Sequence, residues 1–182
     1  MVAACLAVVF LGGVQTPSAA PGERICRGTI GAGTVARVRV PAGAYCVLAG
    51  TTVQGNVVVA RNATLVAGGV RIGGTVQAQR AKSVSVIVES RVRGSVRVER
   101  SARVVVTEST VAGSVRLASN RGPVTVTESR VGADVQLVSN VGRSRIWRNA
   151  VDGDLVCTSN KPRPTGGANE VDGRKRGQCR QL

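Results

Sequence analysis

The chain has no histidine, and only one Phe, one Tyr and one Trp in 182 residues. The first absence removes the side chain that most often performs general acid–base work near neutral pH and most often binds metal ions. Proton transfer would have to come from the ten carboxylates, three lysines or Tyr45. The second absence removes the bulky rings that dominate an ordinary globular core. After the first twenty residues no apolar run approaches the roughly eighteen residues of a membrane-spanning helix.

The first twenty residues, MVAACLAVVFLGGVQTPSAA, carry no charge and join a long apolar run to a small-residue ending at Ser18-Ala19-Ala20. This pattern predicts a secretory signal peptide over residues 1–20, although no Lys or Arg follows Met1 as is usual in such segments. The stretch VAAC at 2–5 is similar to a lipoprotein cleavage box, but Cys5 precedes the apolar run instead of following it, which argues against lipidation. Residues 21–182 are expected to form one secreted domain, located outside the cell or at its surface and long enough for a core.

What the chain does have is Val, Ala and Gly in a fixed rhythm. Gly55, Gly74, Gly94, Gly113, Ala133, Gly153 and Gly173 follow one another at nineteen or twenty residues. Two positions earlier stand Val53, Ile72, Val92, Val111, Val131, Val151 and Val171. Two positions later stand Val57, Val76, Val96, Val115, Val135 and Leu155, and after a further two Val59, Ala78, Val98, Leu117, Leu137 and Cys157. Alternation with period two marks short strands with one buried face, and RVVVTES and PVTVTES add a second strand to their repeats. A fixed period near twenty without helical periodicity predicts an all-β, single-stranded parallel β-helix, a solenoid with about twenty residues per rung. Leucine-rich repeats share the length but need Leu where this chain has Val.

Polar columns support the same architecture. Asn120, Asn140 and Asn160 recur in the register counted for Asn62, and Ser90, Ser109, Ser129, Asn149 and Asn169 form a second column. Stacked about 4.8 Å apart, such side chains can satisfy turn backbone up and down a ladder. With these columns and the Val-x-Gly-x-Val motif, residues 45 to 179 resemble right-handed parallel β-helix proteins. The tail VCTSNKPRPTGGANEVDGRKRGQC is also similar to the endings of uncharacterised secreted β-helical proteins of actinobacteria. The resemblance implies handedness, which spacing does not, and implies no activity.

Cys26, Cys46, Cys157 and Cys179 allow three pairings. Separations of twenty and twenty-two residues are each close to one rung, so bonds 26–46 and 157–179 are expected to clip the terminal rungs. Zinc ligation is the rival use, but the cysteines sit at opposite ends of the chain and His is lacking, so no metal or other cofactor is expected.

Two carboxylate groups invite a catalytic reading. Glu89, Glu108 and Glu128 fall in one column, an exposed corner expected to be neutralised by Arg91, Arg103 or Arg130. Asp152, Asp154 and Asp172 are the alternative, since the repeat sets Asp152 beside Asp172 and paired carboxylates on a β-helix are similar to those of polysaccharide lyases and hydrolases. Those enzymes are longer and carry further motifs lacking here, and Asp-Gly and Gly-Asp are turn chemistry.

The formal charge of +15 is carried by 22 Arg and three Lys. Arg97 and Arg116 share a register, as Arg61, Arg80 and Arg100 nearly do, and rows of one sign attract polyanions. The densest patch is GRSRIWRNA, where Trp147 falls in the column of Thr107 and Thr127 and is expected to point outward beside Arg145, with Arg143 and Arg148 flanking. A Trp among Arg suits a sugar or a partner surface; the same ring could instead cap a thinning core. Nucleic acid is disfavoured as a partner because stacking platforms are lacking. Thr125-Val126-Thr127 stands alone, which breaks the array that ice-binding solenoids present. End-to-end assembly is opposed by the terminal disulfides and by NKPRPTGGANE, which is expected to act as a cap. Together these features predict a non-catalytic structural or adhesive protein whose basic surface binds anionic polysaccharide or wall polymer, the enzyme being the alternative.

Overall fold

The computed structural model describes residues 22–182, so the expected signal segment, residues 1–20 with Cys5, lies outside the described residues. The described chain is an all-β parallel solenoid without helix, and each turn gives one strand to each of three parallel sheets of nine, eight and eight strands. Successive turns are offset by about twenty residues, as in the stack Val76, Val96, Val115, Val135 and Leu155 on the first face. The second face carries the four- and five-residue strands such as Thr64–Gly68 and Ser144–Trp147, and the third carries short ones such as Arg71–Ile72 and Arg91–Val92. All three columns read from the repeat run down the interior, where Val57, Val76, Val96, Val115, Leu117 and Leu137 are fully buried. A core of Val, Leu and Ala suits this geometry because only side chains of about one size fill a stack of identical layers.

Three corners close each turn. Between the first and second faces Asn62, Arg80, Arg100, Ser119, Ser139 and Ser159 take left-handed backbone, with φ from 53° to 56°. Between the second and third faces Glu89, Glu108, Glu128, Arg148 and Ala168 do the same. After each left-handed residue the chain turns inward and buries the next side chain. At these places stand Ser101, Asn120, Asn140 and Asn160 in one corner and Ser109, Ser129, Asn149 and Asn169 in the other. The third corner holds the glycine column for a different reason: rungs approach so closely there that a methyl group on Gly94 would lie 2.6 Å from the Gly74 carbonyl oxygen.

The asparagine ladder runs as expected except at its first member. Asn62 is exposed in the left-handed column, and the buried position belongs to Ala63, because the chain from Val57 to that corner is one residue longer than from Val76 to Arg80. The same extra residue leaves Arg61 one place before the column that Arg80 and Arg100 share.

Both expected disulfides form, with Cα–Cα distances of 5.6 Å for Cys26–Cys46 and 5.2 Å for Cys157–Cys179. The segment NKPRPTGGANE is not a cap. Its Thr165–Gly167 strand pairs with Arg145–Trp147 as an ordinary rung, and Pro164 is buried. The chain closes the end later, where Cys179 is fully buried and Leu182 packs on the core.

Candidate anion-binding surface

Residues 1–21 carry no charge, so all 25 cations and ten carboxylates belong to the described solenoid. Among them only two ion pairs form, Arg39–Glu23 at 3.2 Å and Arg176–Asp154 at 3.1 Å. The excess of arginine therefore stands free on the exterior, where alternation along each strand turns every second side chain outward.

Arg97 and Arg116 are direct neighbours in register on the first face and both are exposed. Gln77 and Gln136 flank them on the adjoining rungs, so their charges are not diluted by acid in that column. Trp147 lies seven turns along the second face. Its ring is outward and half-buried, while Ile146 beside it enters the core. The guanidinium carbons of Arg145 and Arg148 lie 5.8 Å and 6.0 Å from the ring centroid, both within cation–π range. Arg148 reaches the ring because the left-handed corner turns it back, with φ of 51°. One side of the ring rests against Gly167 of the next rung, whose missing side chain leaves room for it: a methyl there would stand 3.3 Å from the indole. Arg143 is exposed just before the strand.

The second face changes character at this point. Its central outward column reads Val47, Val66, Ser85, Val105 and Thr125, without charge, until Arg145 takes the next place. Arg145 and Trp147 thus end a flat, uncharged strip.

The carboxylates are arranged differently from the arginines. Glu89, Glu108 and Glu128 stack as an exposed left-handed column, but Arg91, Arg103 and Arg130 form no ion pair with them within 4.0 Å, contrary to expectation. The left-handed corner aims these side chains outward and apart from the strand positions that carry the arginines. Asp152 and Asp172 occupy adjacent rungs and are exposed, since Asp172 N–H donates to Val151 O just below Asp152. Asp154 faces the fold: its Oδ1 accepts from Arg174 N–H at 2.8 Å and its Oδ2 pairs with Arg176. Asp134 repeats the arrangement by accepting from Asp154 N–H at 2.9 Å. These aspartates continue a corner ladder begun by Asn56, Thr75 and Ser95. Among the described residues no group of three or more Asp, Glu or Cys side chains is placed to hold a metal ion.

A groove on the third face was not read from the sequence. Arg71, Arg91 and Arg93 line a cleft of about 540 Å³ together with Gly73 and Ala112. The signal was available, because Arg71 and Arg91 each stand directly before the aliphatic residue of the glycine motif. No family model, no curated protein and no solved structure matches the chain.

Proposed function

We propose that the chain is an exported, right-handed β-helical protein, akin to the uncharacterised secreted proteins of actinobacteria, that binds anionic polymer of the cell envelope or extracellular space without catalysis. The observation that carries this reading is the Trp147 patch: an outward ring on a strand with Arg145 and Arg148 both within cation–π range, in a molecule whose cations outnumber its acids by fifteen. Preset aromatic and guanidinium planes lose little freedom on binding a sugar bearing carboxylate or sulfate. Two disulfides are consistent with an oxidising compartment, and no helix among the described residues is long and apolar enough to cross a membrane. The engagement of Asp154 by Arg174 and Arg176 supports a structural role for that carboxylate over an enzymatic one.

Retention on an immobilised acidic polysaccharide at graded salt tests the proposal. Trp147→Ala should weaken binding about tenfold at constant salt, the scale of one lost ring contact. Arg97 and Arg116 changed together to Gln should mainly flatten the salt dependence, since exposed charges act at long range. A Trp147→Ala protein that binds as before but melts lower would assign the ring to folding and defeat the reading. Release of new reducing or unsaturated ends from the polymer would replace it with the enzyme.

A further inference from the structure

A second concentration of cations stands at the corner between the first and second faces, in the three turns that precede the turn of Trp147. Arg80, Lys82, Arg100 and Arg121 ring a depression of about 490 Å³. They come from three successive turns, and backbone hydrogen bonds fix their register: Ala102 N–H donates to Ala81 O, and Arg121 N–H to Ser101 O. Lys82, Ala102 and Arg121 therefore share one column, with Arg80 and Arg100 beside it. Ala102 takes the middle place, so no side chain beyond a methyl group fills the centre of the ring. None of the four cations forms an ion pair among the described residues.

Nothing in the fold calls for arginine here. Arg80 and Arg100 hold φ of 55° and 53°, in a column where other turns place Asn62, Ser119, Ser139 and Ser159. Asn reaches left-handed backbone more readily than Arg does. The arrangement also sets like charges on rungs about 4.8 Å apart, where they repel. Uncompensated positive charge gathered around one open depression is the mark of an anion site.

We infer that this corner binds condensed phosphate, a chain of anhydride-linked phosphates. The ring spans roughly 10 Å over three rungs. An acidic glycan with one charge per sugar ring would leave some of the four cations unmatched over that span, whereas linked phosphates bring a charge at every unit. Arginine forks engage phosphate oxygens in pairs, and Lys82 adds a point charge. The site is independent of the Trp147 patch and does not rest on it.

Titration calorimetry of the purified protein at fixed salt, with tripolyphosphate, inorganic phosphate and citrate as probes, tests the inference. Tripolyphosphate should bind at one site, about tenfold or more tighter than citrate and than inorganic phosphate, because only the linked chain reaches all four cations at once. The double variant Arg80→Asn, Arg100→Asn should lose at least about tenfold in that affinity while melting no lower than the parent, because Asn suits the backbone. Ala102→Glu, at an exposed position, should abolish binding without touching the core. Trp147→Ala should bind tripolyphosphate as the parent does. Equal affinity for tripolyphosphate and citrate overturns the inference, and so does parental affinity in Ala102→Glu, which decides the matter even if the double variant fails to fold.

Discussion

At residues 63, 70 and 81 the side chain buried after the left-handed corner residue is Ala or Val, whereas at 120, 140, 149, 160 and 169 it is Asn. Serines at 90, 101, 109 and 129 lie between these extremes. In both corners a left-handed residue precedes the buried side chain on each of these turns, so the contrast shows how the same kind of corner is held in two ways. Near the N-terminal end the corner is closed by apolar contact and local turns, as where Ala63 N–H donates to Ala60 O. Toward the C-terminal end each amide is a link in a chain. Asn140 Oδ1 accepts from both Asn120 N–H and Asn120 Nδ2, at 3.0 and 2.9 Å, while Asn140 Nδ2 donates to Leu117 O and Asn160 Oδ1. Gln178 ends the chain by accepting both donors of Asn160.

The change follows the core. On the second face one interior column runs from Leu65 and Val84 to Ser144 and Pro164, and the other from Leu48 and Val86 to Ile146 and then Gly166, which has no side chain to bury. Where apolar area falls, hydrogen bonds between rungs and the Cys157–Cys179 bond hold the layers together. A buried amide ladder is a strong substitute only while complete, because each missing member leaves its neighbours unpaired out of water.

Removing a link should therefore be costly in the second half. Asn140→Ala leaves Asn120 N–H and one Asn120 Nδ2 hydrogen without their acceptor, and at roughly 1 kcal/mol or more for each buried orphan the loss should be about 2 kcal/mol. Denaturant unfolding measures it, and amide exchange at Asn120 should quicken more than at Val76 on the first face. A loss under about 1 kcal/mol would show that water enters the corner and that the ladder is not the holding element.

The matched change in the first half should do less. Ser101→Ala leaves Ala81 N–H without its 3.0 Å acceptor, while Glu99 O keeps the Arg80 N–H as a donor, and it interrupts no chain of amides on the N-terminal side, where Ala81 and Ala63 follow. A cost of about 1 kcal/mol is expected. Equal costs at 101 and 140 would erase the distinction between the halves.

Much of this was legible from residue order, for reasons that also mark its limits. The Val columns and the asparagines after residue 100 repeat with spacing strict enough that counting from glycine reaches the right side of each strand. Counting failed at Asn62, where one added residue shifts the column without altering its composition. It failed again at NKPRPTGGANE, because a proline- and glycine-rich stretch reads as an ending while the backbone continues as a rung. The outward direction of Trp147 followed from alternation, yet the approach of Arg148 depends on a left-handed corner that spacing does not reveal. Lys82 and Arg121 were overlooked because Ala102 interrupts their column, so they meet only when the turns are stacked.

The smallest expected effect has the opposite sign. Ser144 continues the interior column of Val84, Val104 and Val124, and its Oγ is buried without a hydrogen-bond partner among the described residues. An unpaired hydroxyl in an apolar layer opposes folding, and the rungs before it show that Val fits the same place. Ser144→Val should therefore raise stability by roughly 0.5 kcal/mol, seen as a higher melting temperature with unchanged affinity for polymer, since the side chain faces away from Trp147 and Arg145. If stability falls instead, the layer behind the Trp147 patch is packed too tightly for a branched residue, and the thinning of the core at this turn is a fit to serine and not a deficit.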